Sequence, residues 1–246
     1  MDIMTIAGFV FGAAVILWGV FAAGIAKLFL NTHGIVLVIG GTLAAVAINT
    51  SLKGFTSGLQ AFLKIIKSSP LPSNEECVRM IVQLSETAQR QGGIMALQNV
   101  DPNFAEGFLK RAISVAMISG QSQETRNILE EEIRRRRLYF QEDSNFYRTM
   151  GVLSPMFGLI GTLFGIIQTL AHISDPSKVG TSMAVAISSA FYGIALSNLV
   201  FVPVANKLRM RALEETLILQ VLVEGVLDIM SGKTPRLIEM HLKGYL

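Results

Sequence analysis

The stretch TMGVLSPMFGLIGTLFGIIQTLAHIS, residues 149–174, contains no Asp, Glu, Lys or Arg, and its single histidine, His172, lies near its end. A helix rises 1.5 Å per residue, so about 20 such residues cross the roughly 30 Å hydrocarbon core of a bilayer. This run exceeds that length. Arg148 leads into it without a strong breaker, which predicts a helix that enters the membrane continuously from the preceding segment. Working outward, 179–206, 3–26 and 34–52 are equally free of charge, the last being the shortest. Residues 3–26 lack a basic leader region and are too long for a secretory signal, so they read as a retained helix.

The composition agrees with four spans. Hydrophobic residues make up 51% of the 246 and charged ones 16%, against about 25% in soluble domains. Such a chain is too apolar to stay disordered, and a lone cysteine, Cys77, excludes a disulfide framework. The net charge of +3 is informative through its placement. Lys27 and Lys178 alone occupy the short loops 27–33 and 175–178; every other base falls in 53–148 or 207–246. By the positive-inside rule both segments, and both termini, are cytoplasmic. Bases and acids there nearly cancel, 13 against 11 and 6 against 5, so neither segment is a nucleic-acid patch. The expected fold is all-α: a polytopic membrane protein with four transmembrane helices and a helical cytoplasmic domain. Residues 1–52 carry the first two spans and 53–148 the cytoplasmic domain. Residues 149–206 carry the last two spans and 207–246 a cytoplasmic helical tail.

Local signals place the cytoplasmic helices. Ser73-Asn74-Glu75-Glu76 is a capping box opening a helix that Gly92-Gly93 stops near Gln91. A second helix is expected from about Asn103 to Ser119, ended by Gly120, and a long charged one from Ser122. Glu130-Glu131-Glu132 precede Arg134-Arg135-Arg136 by four positions, which favours ion pairs along one helix and a solvated face for the arginine run. Lys207, Arg209 and Arg211 open an amphipathic helix to about Ser231. Thr234-Pro235 starts a short final one.

No catalytic motif is present: no phosphate-binding loop, no His-Glu-x-x-His, no Gly-x-Ser-x-Gly, and no cysteine pair. The chain reads as a non-enzyme without cofactor or metal, its histidines His33, His172 and His241 being far apart. Cys77 reads as a structural thiol. More telling, no carboxylate lies in any span, whereas ion pumps and channels usually carry one there. The spans hold hydroxyls instead: Thr162 and Thr169 in the third, Ser188 and Ser189 in the fourth. These ligate a cation but cannot neutralise it, so an ion-transporting chain of this kind must borrow a carboxylate. Gly8-x3-Gly12 and Gly161-x3-Gly165 allow close helix approach, within the chain or against a partner. Pro155 and Pro203 each remove a backbone hydrogen bond near the cytoplasmic end of a span and permit a kink.

The element order, together with Val38-Ile39-Gly40-Gly41-Thr42, Ser154-Pro155-Met156-Phe157-Gly158-Leu159-Ile160-Gly161-Thr162, Met183-Ala184-Val185-Ala186, Tyr192-Gly193, Pro203-Val204-Ala205-Asn206 and Pro235-Arg236-Leu237-Ile238-Glu239, resembles the flagellar motor stator A subunits. The resemblance covers essentially the whole chain. It implies a homo-pentamer around a dimer of a B-type subunit in the bacterial inner membrane. That B subunit has one membrane helix with an ion-carrying Asp, and a peptidoglycan-binding domain. Ion flow, of protons or sodium, then drives a rotor switch-complex protein. The resemblance also implies roles for residues here: Pro155 and Pro203 as gating prolines, Thr162, Ser189 and Ala190 on the ion path, and Arg90 at the rotor interface with Gln98 and Asp101. Two departures stand out. Gln98 occupies a position where members carry Glu, and Ser189-Ala190 replace a threonine pair seen in sodium-driven members. An alternative within the same superfamily is a non-flagellar ion-driven energiser of another envelope process.

Overall fold

A computed structural model describes residues 3–29, 31–66 and 71–245, with the side chains of Lys27, Leu28, Lys64, Gln98 and Asn99 outside that description. The described residues hold helices and turns, with no strand. They form two compact units, one drawn from 1–68 and 141–209, the other from 69–140 and 210–246.

The first unit contains the four helices that are long and apolar enough to cross a membrane, or the parts of them that qualify. Helix α1 (Ile3–Ala22) buries none of its residues, and Phe11, Trp18 and Phe21 are more than half exposed, a surface suited to lipid. Gly24, at φ +67°, turns the chain into the short α2 (Ala26–Phe29). Asn31 caps α3 (Thr32–Asn49), its side-chain oxygen accepting the Gly34 N–H at 3.3 Å. Gly34, Val38, Thr42 and Val46 recur every four residues and make one buried stripe along α3. Helix α4 (Leu52–Ile66) follows, amphipathic and unforeseen in the sequence as a separate element. Ala61 and Ile65 of its buried face join Phe146, Tyr147, Val204 and Leu208 in one apolar cluster.

The second unit is built from α5 (Asn74–Gln91), α6 (Phe108–Ser119), the beginning of α7 (Ser122–Ala171), the later part of α9 (Val202–Met230) and α10 (Pro235–Lys243). Helix α5 begins with the expected capping box: Ser73 Oγ accepts the Glu76 N–H, and the Glu76 carboxylate accepts the Ser73 N–H. Cys77, Ile81, Phe108, Leu109, Ile113, Leu129, Leu222 and Leu242 are the centre of its core. Burial pushes the Cys77 thiol up to about 12, with the nearby Glu76 charge adding to the effect.

The sequence expectation fails at the start of α6. The segment 103–107 is not its first turn, because Ala105 (φ +50°) and Glu106 (φ +55°) are left-handed and are followed by Gly107 at φ +76°. A left-handed non-glycine residue costs roughly 1–2 kcal/mol, since Cβ crowds the next carbonyl. The turn is anchored from outside: Arg111 donates to the Glu106 carbonyl at 3.3 Å, and Arg136 to the Glu106 carboxylate at 3.3 Å. Arg136 also reaches Glu215 at 3.2 Å and Glu132 at 3.7 Å. The arginine run is therefore mixed. Arg134 and Arg135 are solvated and share Glu131, whereas Arg136 turns inward as a hub between the left-handed turn and α9.

Candidate functional site

The third and fourth spans, α7 and α8 (Pro176–Leu196), meet in a seam of small residues. A Cβ added at Gly193 would lie 2.5 Å from the Ser154 carbonyl oxygen and 3.0 Å from Pro155 Cα. At Gly158 it would lie 2.9 Å from the Ser189 carbonyl oxygen, and at Gly165 2.6 Å from the Ala186 nitrogen. All these neighbours are backbone and cannot swing aside, so each position must be glycine for the helices to touch. Gly161 and Gly165 thus pack within the chain. A Cβ added at Gly8 would meet nothing within 4 Å, and one at Gly12 would lie 3.2 Å from Leu199 Cδ2.

Close approach brings hydroxyls of one helix onto carbonyls of the other. Ser154 donates to Gly193 at 3.0 Å, Thr162 to Ala186 at 3.2 Å, and Ser197 to Gly151 at 2.6 Å. Thr162 also donates to Gly158 in its own helix, at 3.1 Å. Ser189, fully buried, donates to Val185 at 2.8 Å, as does Ser188 at 3.2 Å. Both oxygens of the expected ion path, on Thr162 and Ser189, therefore spend their proton on a carbonyl and keep lone pairs free to accept. Ala190 follows Ser189, with its Cα against Gly158.

Ser189 also lines a cavity of about 310 Å³ with His33, Gly34, Gly161 and Gln168. That space is larger than a single water molecule needs. Its polar side chains are the Gln168 amide, the Ser189 hydroxyl and the His33 imidazole, with no carboxylate among the described lining residues. Such a lining solvates a cation and leaves its charge uncompensated.

The two prolines occupy different settings. Pro155 lies half-buried inside α7, which continues through it uninterrupted. Pro203 is exposed and follows a π-helical turn, Ser197–Phe201, that joins α8 to α9. It borders a second cavity of about 320 Å³ with Thr5, Phe9, Asn198, Val204 and Lys207.

The expected rotor-facing residues lie in the second unit. Arg90 is exposed in the last turn of α5, ahead of Gly92, whose left-handed φ of +89° ends the helix. Asp101 is exposed and accepts the Asn103 N–H at 2.9 Å. Gln98 belongs to a 3-10 turn, Ile94–Asn99, but its side chain lies outside the described residues. Sequence reasoning passed over Ser154 and Ser197, although each serine falls at the spacing of the seam glycines.

Among known proteins, residues 99–221 match the MotA/TolQ/ExbB proton channel family. The chain is 30% identical over 246 residues to chemotaxis protein PomA of Vibrio alginolyticus, covering 100% of this chain and 96% of that one. It overlays the flagellar MotAB stator complex from Bacillus subtilis with a TM-score of 0.89 at 26% identity, over 99% of this chain and 96% of that one. The fold is shared with C. jejuni MotAB at a TM-score of 0.91 and 21% identity, over 100% of this chain and 96% of that one.

Proposed function

The chain belongs to the MotA/TolQ/ExbB proton channel family, and from that premise we propose that it is the force-generating A-type subunit of a bacterial flagellar stator. It is a multi-pass membrane protein that couples ion movement to motility. One observation carries the mechanism: its spans offer hydroxyls and carbonyls along a tight seam, and no carboxylate. A cation crossing such a lining needs a counter-charge from elsewhere. A B-type partner supplies it, a pairing supported by the likeness to the flagellar MotAB stator complex; the Asp on that partner's single membrane helix is what the resemblance to stator A subunits implies.

In this reading, residues 1–52 and 149–206 span the inner membrane, and 53–148 and 207–246 face the cytoplasm with both termini. Five copies surround a partner dimer. Thr162, Ser189 and Ala190 border the ion's route, Pro155 and Pro203 permit the bend that follows its passage, and Arg90, Gln98 and Asp101 meet the rotor. The coupling ion is a proton or sodium; two hydroxyls with free lone pairs serve either, and external sodium varied at fixed pH separates them by swimming speed.

The test is complementation of a cell lacking its own stators. Co-expression with a peptidoglycan-binding B-type partner restores rotation, and either chain alone does not. Ion conductance by this chain without any partner would overturn the shared-channel reading.

A further inference from the structure

In an α-helix the carbonyl of residue 151 accepts the N–H of residue 155. That residue is Pro155, which has no N–H to give, yet α7 runs through it from Ser122 to Ala171 without a break. Gly151 is buried, so water cannot serve its carbonyl freely, and a buried carbonyl left alone is costly. The replacement donor comes from the other helix: Ser197 Oγ, on a residue only 5% exposed, lies 2.6 Å from it.

Ser197 has a second distinction. It opens the π-helical turn Ser197–Phe201, and its own carbonyl accepts the Val202 N–H, five residues on. The next residue is Pro203, which likewise has no N–H for the Leu199 carbonyl. Proline and π-turns are among the few places where a helix bends sharply. One residue therefore touches both joints, by its side chain at Pro155 and by its main chain just before Pro203.

We propose that Ser197 is the positioning residue that locks the two proline joints together, and that α7 bends at Pro155 only when this hydroxyl releases the Gly151 carbonyl. What the bend serves, a step in each ion passage, rests on the stator reading; the lock itself does not.

The experiment is a mutant cycle on the complex purified with its B-type partner. Ser197→Ala lowers the unfolding midpoint in the natural background. In a Pro155→Ala background it leaves the midpoint unchanged, because that substitution restores the main-chain N–H that the Gly151 carbonyl lacks. Equal drops in both backgrounds overturn the proposal. Ser197→Thr, which keeps the hydroxyl, holds the midpoint near the natural value; a drop as large as that of Ser197→Ala overturns it too. If Ser197→Ala prevents assembly, adding Pro155→Ala must recover it, and failure to do so counts against the lock. If Pro155→Ala does not assemble, the comparison of Ser197→Ala with Ser197→Thr decides. Rotation speed per stator at fixed ion-motive force then changes for Ser197→Ala and not for Ser197→Thr; the same speed in all three chains overturns the gating role. Absence of rotation with the unaltered chain would sink the stator reading and leave the stability cycle interpretable.

Discussion

Replacing Gly193 by alanine should separate α7 from α8. The new methyl carbon would lie 2.5 Å from the Ser154 carbonyl oxygen, and moving that contact to an ordinary 3.4 Å displaces one backbone by about 0.9 Å. Pro155 Cα at 3.0 Å and Gly158 Cα at 3.1 Å block the sideways escape. Overpacking of this kind costs about 1–3 kcal/mol. The same displacement carries the Ser154–Gly193 bond, now 3.0 Å, out of hydrogen-bond range and strains that of Thr162 to Ala186. Each such bond contributes about 0.5–1.5 kcal/mol. Against this, alanine recovers roughly 0.5–1 kcal/mol of helix propensity. The expected net loss is about 2–4 kcal/mol. Denaturant unfolding of the purified complex measures it, with Gly180→Ala as the reference, because that methyl meets nothing within 4 Å and should be neutral or mildly stabilising. If the two variants differ by less than about 1 kcal/mol, the seam is not the close contact described.

Other consequences concern the second unit and the rotor surface. Burial holds the Glu215 carboxyl above the usual carboxylate range although Arg136 pulls it down. A raised folded value means stability is lost as pH climbs from below the unfolded value through the folded one. The stability of Glu215→Gln relative to the natural chain should therefore rise over that window, and a flat difference in pH-dependent unfolding would refute it. Asp228→Asn removes a buried carboxylate that accepts Lys233 Nζ and pairs with His241 Nδ1, both at 2.6 Å, and should cost about 1–3 kcal/mol with faster hydrogen exchange in α10. Cys77, buried with its thiol held at about 12, should resist alkylation at pH 8 until the chain unfolds; rapid labelling of folded protein contradicts this. Arg90→Glu should impair motility with normal membrane assembly, and unchanged motility removes Arg90 from the interface.

The readable parts of the sequence were those set by local chemistry. Ser73 and Glu76 announce the start of α5, Gly92 its end, and Pro235 the start of α10, since caps act within a few residues. Charge-free runs gave the spans because lipid imposes one simple length rule. What stayed hidden depends on distant partners. Ala105 and Glu106 have no intrinsic preference for left-handed backbone; Arg111 and Arg136 hold them there. Arg136 looked like its neighbours until Glu215, far along the chain, drew it inward. Thr162 and Ser189 were visible as hydroxyls in apolar spans, but their engagement with Ala186 and Val185 was not. Ser197 was missed because its meaning comes from Pro155, on another helix.

The hydroxyl-to-carbonyl seam bears on how this protein can be observed at work. Serine, threonine and peptide groups neither gain nor lose protons across any pH a cell survives. A carboxyl stretching band that appears or vanishes in infrared difference spectra, on changing the ion supply, would therefore carry no contribution from these four spans. In the carboxyl region the four spans are a silent background, against which a single acid on a neighbouring membrane helix could be followed without labels.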